Sequence, residues 1–168
     1  MTDTISQVQA TFEPLEDRIQ LNITTQSHQV FSAWITRRYL KLLIPALQGK
    51  HPLTKKALLS DEAMRIMTLQ ENGKDARSAN FETFKVDENA EYPLGKKPII
   101  LAKIAFKALN TDAPMMELNP EQGAGLAIPY NTYVLKLMLN VLEQALQLAA
   151  WDLEQDESLA LPIQLSLH

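Results

Sequence analysis

Two stretches of this chain line up without a gap about 95 residues apart: Thr36-Arg37-Arg38-Tyr39-Leu40-Lys41-Leu42-Leu43-Ile44 and Asn131-Thr132-Tyr133-Val134-Leu135-Lys136-Leu137-Met138-Leu139. Each opens on a residue type that caps helices and carries Leu-Lys-Leu at the same offset, so each reads as the start of an amphipathic helix. Upstream, Ile19-Gln20-Leu21-Asn22 matches Met116-Glu117-Leu118-Asn119. A recurrence of this kind constrains architecture before it says anything about activity. It predicts an α+β fold of two related antiparallel meander-plus-helix halves, about 8–50 and 99–151, joined by a connecting helix over about 54–72, with the helices packed on sheet.

The strand expectations rest on alternation. Val8, Ala10 and Phe12 alternate and would begin an edge strand. Ile19, Leu21 and Ile23 share one face of a second strand, and Gln29 to Ile35 returns after a turn at Thr25 to His28. A helix over about 37–48 contains Pro45, which removes a backbone donor and should kink or shorten it, with Gly49 as its stop. Phe81 to Val86 is a short strand candidate, and Asp87 to Pro98 is the best boundary between the halves. Ile99 to Leu109 is apolar on both faces, as a central strand is. Met115 to Asn119 and Gly125 to Tyr130 complete a second meander, which leads into a long helix over 132–151. Val134, Leu137, Val141 and Leu148 widen the apolar face of that helix beyond a surface stripe, so it must be covered on more than one side.

The order of elements is similar to that of Pur-type and Whirly-type single-stranded nucleic-acid-binding proteins, whose repeats also end a strand meander with a helix. That resemblance is one of topology only and does not carry function; the alternative function, single-stranded DNA or RNA binding, is expected from the Arg37-Arg38 face.

Composition narrows the chemistry. A chain of 168 residues fits one domain with a substantial core, and a net charge of -4 weakens any reading that needs a strongly basic footprint for duplex DNA. No cysteine is present, which removes disulfides, thiol catalysis and thiolate metal sites and fits a reducing cytoplasm. No apolar run approaches the roughly 18 to 20 residues of a membrane span. His28, His51 and His168 fall in a turn, a loop and at the terminus, so no metal site is expected. Glu16-Asp17, Asp61-Glu62, Asp87-Glu88 and Asp156-Glu157 are sequence neighbours, and adjacency alone does not create the unlike environments that acid-base catalysis needs. Gly123-Ala124-Gly125 is too short for a dinucleotide loop. The expectation is a protein that is not an enzyme and uses no cofactor.

Two features remain as sites. Arg37-Arg38 places two cations at a helix start, against the macrodipole, at a cost of roughly 0.3 to 1 kcal/mol each. Either Glu13, Glu16 or Asp17 offsets them, or Arg37, Arg38 and Lys41 contact an anion such as nucleic acid, with Lys50, Lys55 and Lys56 extending the patch and Trp34 or Tyr39 stacking on bases. In the C-terminal tail, Leu159, Leu161, Ile163, Leu165 and Leu167 alternate strictly with Ala160, Pro162, Gln164 and Ser166. That is the pattern of a strand, which either completes the protein's own sheet or adds to another chain. The leading expectation is a cytoplasmic protein-interaction or assembly module that forms a homo-oligomer or binds a protein partner.

Overall fold

The computed structural model describes residues 4–63 and 87–151. Six strands, β1 (Ile5–Glu13), β2 (Arg18–Thr25), β3 (Val30–Ile35), β4 (Ile99–Lys107), β5 (Met115–Pro120) and β6 (Leu126–Pro129), form one sheet whose spatial order follows the chain. Neighbours are antiparallel except at the centre, where β3 and β4 run parallel through Ala33↔Ile99 and Trp34↔Ile100. Two helices follow the third and sixth strands: α1 (Arg37–Leu47) and α2 (Thr132–Ala149).

This overturns the expectation of two antiparallel meander-plus-helix halves. The protein is mostly sheet, with few helices, and the sheet is a single mixed one. Alternation along a strand says which side chains are buried, but not which strand lies alongside. The parallel seam between β3 and β4 was therefore invisible to it. The connecting helix is also corrected where it is described. Thr54 to Ser60 forms turns and an isolated bridge, Lys50↔Ala57, and helix starts only at Asp61, with Ser60 Oγ accepting from the Ala63 amide at 3.2 Å. Its remainder, the Phe81 to Val86 strand candidate and the 159–167 tail lie outside the described residues.

Local chemistry explains the element ends. Thr36 and Asn131 cap their helices through side-chain oxygens that accept from Tyr39 N and Val134 N. Pro45 lies two residues from the end of α1, which stops at Leu47, and Gly49 at φ +80 turns the chain away. Gly125 is required for another reason: a Cβ there would collide with Asn119 Oδ1 and Leu118 O across the β5–β6 turn. β1 begins at Ile5, three residues ahead of the Val8, Ala10 and Phe12 alternation, and lies at one edge of the sheet.

Both helices cover one face of the sheet. Its buried side chains include Ile19, Leu21, Ile23, Ile35, Ile104, Met116, Leu118 and Ile128, which join Leu40, Leu43, Met138 and Leu142 in one core. α2 leaves β6 at one edge and packs against β1 at the other. Eighteen residues at about 1.5 Å each span about 27 Å, enough to cross the five strand spacings of about 4.8 Å. α1 packs against β4 and α2. Each helix therefore rests on strands from the other end of the chain. Two buried tyrosines tie the layers together: Tyr39 Oη donates to Lys103 O at 3.1 Å and Tyr130 Oη to Ala46 O at 2.5 Å. Burial raises the pKa of both phenols, because the phenolate would lose its hydration there.

Candidate functional site

The helix start singled out from the sequence is a structural corner in part. The β1–β2 turn brings Asp17, at φ +50, beside α1. One oxygen of its carboxylate accepts from Trp151 Nε1 at 2.7 Å and the other from Arg37 Nη2 at 3.4 Å. Arg37 also sits 5.3 Å from the centre of the Trp151 ring, and Phe12 meets that ring edge-on at 5.9 Å. Asp17, one of the three carboxylates expected to offset the arginines, thus offsets Arg37. Arg38 points into solvent and Lys41 is half-buried; neither joins an ion pair among the described residues.

The stacking candidates do not join the cationic side chains. Tyr39 is 2% exposed, beneath α1. Trp34 lies on the opposite, helix-free face of the sheet, where the Arg18 guanidinium covers its ring at 3.7 Å and Arg18 pairs with Glu16. That open face is lined by polar groups, including Asn22, whose Oδ1 accepts from Ser32 Oγ at 2.6 Å. Along β4 and β5 it carries the pairs Lys103–Glu121 and Lys107–Glu117 at 3.8 and 2.6 Å.

One apolar feature interrupts this face. Ile100, in register with Trp34, is 54% exposed. It opens into a groove of about 610 Å³ formed with Pro93, Leu94, Ile99, Pro120 and the 121–124 turn. Sequence reasoning missed it, having read Ile99 to Leu109 only as a central strand apolar on both faces. The available signal was local: Pro93 and Pro98 precede the strand, and a proline donates no backbone hydrogen bond to a ladder.

Among the described residues, no group of three or more His, Asp or Glu side chains is placed to hold a metal. No described helix is long and apolar enough to cross a membrane. No protein-family model, curated protein or solved structure matches the chain. The likeness in element order to Pur-type and Whirly-type proteins therefore stands without a structural match.

Proposed function

We propose that the protein is a non-enzymatic interaction and assembly module that self-associates in the cytoplasm. The observation that supports this best is the apolar groove at Ile100. An isoleucine more than half exposed, flanked by Pro93, Leu94 and Pro120 on a face that elsewhere carries Asn22, Ser32, ion pairs and Trp34 covered by Arg18, supports a surface that a protein partner covers. Leu159, Leu161, Ile163, Leu165 and Leu167 of a second copy match it chemically, since an extended segment offers an apolar side chain at every second position.

Solution mass by light scattering on a sizing column tests the reading with three proteins: the full chain, the chain ended at Glu157, and full-length Ile100→Lys. A dimeric full chain with two folded monomeric variants is the expected result. A full chain that stays monomeric throughout a concentration series removes the reading.

A further inference from the structure

Charge is distributed along this chain in a way its net value hides. From residue 18 to residue 60 there are seven Arg and Lys and no Asp or Glu, so a +7 stretch sits in a chain of net -4, and the remainder carries -11. The stretch is also contiguous in space, because it comprises β2, β3, α1 and the loop that follows them. Two of its cations are neutralised, Arg18 by Glu16 and Arg37 by Asp17. The other five, Arg38, Lys41, Lys50, Lys55 and Lys56, form no ion pair among the described residues. Arg38 and Lys41 are three apart on the outer side of α1, and Lys50, Lys55 and Lys56 are exposed just past its C-terminal end. At about 1.5 Å per residue, Arg38 lies about 14 Å along α1 from its C-terminal end at Leu47, where the loop begins. The loop is a folded unit: His51 Nδ1 accepts from the Leu53 and Thr54 amides at 3.2 Å, and Lys55 Nζ donates to Pro52 O at 3.0 Å.

Such a strip calls for an acidic partner. A nucleic acid would supply the charge, but the strip offers it no base-stacking platform, since Tyr39 is buried and Trp34 lies on the other side of the sheet under Arg18. The net-negative remainder of the chain would also repel a polyanion. A second copy of the chain carries the complement at equal concentration. Its densest acidic run is Asp152, Glu154, Asp156 and Glu157, four carboxylates within six residues. Resting on the self-association reading above, we infer that the α1 strip of one copy docks the 152–157 run of a second, the two contacts being reciprocal in a closed dimer.

The experiment compares solution mass and sedimentation equilibrium at about 50 and 500 mM salt, since the screening length falls from about 14 to 4 Å across that range. The proteins are the wild type, a strip variant (Arg38→Glu, Lys41→Glu, Lys55→Glu, Lys56→Glu) and a run variant (Asp152→Lys, Glu154→Lys, Asp156→Lys, Glu157→Lys), each checked for fold by circular dichroism. Self-association should weaken at least about tenfold at high salt and in each variant alone. An equimolar mixture of the two variants should associate again, because a reversed strip then meets a reversed run. The run variant leaves every described residue untouched, so it remains informative should the strip variant misfold. A dimer that ignores salt and both reversals overturns this inference but leaves the self-association reading intact; a monomer at every salt removes that reading and this inference with it. Salt-sensitive binding of a fluorescein-labelled oligothymidylate by a monomeric wild type, lost in the strip variant, would reassign the strip to nucleic acid.

Discussion

The two helices start alike and do different work. α1 follows β3 and α2 follows β6, and both open on a side-chain cap, Thr36 or Asn131. Past the first turn they diverge. α1 is short, buries Leu40, Leu43 and Ala46 completely, and keeps its cations on the outside. α2 is long, buries Val134, Leu135, Leu137, Met138, Val141, Leu142 and Ala145, and straps the β6 edge to the β1 edge. The lesson is that a shared local signal fixes where a helix begins, whereas the length and width of the apolar face decide how much of the sheet it organises.

That contrast can be broken first in the core. Met138→Ala and Leu43→Ala each delete a fully buried side chain and should cost about 2 to 5 kcal/mol in urea unfolding. If α2 is the strap, Met138→Ala should also speed hydrogen exchange in β1, and Leu43→Ala should do so in β4. Equal effects of the two variants on both strands would erase the distinction.

The tyrosines give an intermediate effect. Replacing Tyr130 by Phe removes one hydrogen bond to the Ala46 carbonyl, which still accepts from Gly49 N at 3.1 Å, an expected loss of about 0.5 to 1.5 kcal/mol. Both phenols have raised pKa values in the folded state, so the folded protein holds their protons after the unfolded chain has released them. Their stabilisation is complete below the ordinary tyrosine value of 10.0 and is lost as pH rises above it. Alkaline unfolding should therefore steepen by up to about 1.4 kcal/mol per pH unit for each tyrosine, and Tyr130→Phe should flatten it. An unchanged slope in that variant would mean Tyr130 ionises freely.

The smallest effects concern what the helices share. Thr36→Ala and Asn131→Ala should each cost about 1 kcal/mol, since both remove one acceptor for an orphan amide. Similar values would show that the likeness at the helix starts is energetic as well as geometric. A cost at Asn131 several times that at Thr36 would show that the longer helix depends more on its first turn.

Much of the element list was legible, and the reasons are local. Period-2 burial in Ile19, Leu21 and Ile23 and the caps at Thr36 and Asn131 are set by residues within a few positions of each other. Apolarity on both faces marked β4 as central. What alternation could not supply was β4's neighbour, because the parallel bonds to Ala33 and Trp34 depend on a crossover rather than on a turn with its own signature. The same limit applies to the site. Arg37 and Asp17 were recognised as potential partners, but Trp151, the third member of that corner, lies 134 residues from Asp17 and has no local sequence mark. Leu148, assigned to the apolar face of α2 by its spacing, is 76% exposed, because the helix reaches the sheet edge there.

The diagonal course of α2 also bears on how the chain is made. Strands β1 to β3 can pair as soon as they are synthesised, yet the apolar side chains of β1 that α2 covers, Val8 among them, wait for a helix more than a hundred residues downstream. Such sequence-distant closure gives a high contact order and slow folding. During translation the β1 side of the sheet therefore keeps an uncovered apolar face until α2 emerges, a state in which exposed hydrophobic surface favours aggregation.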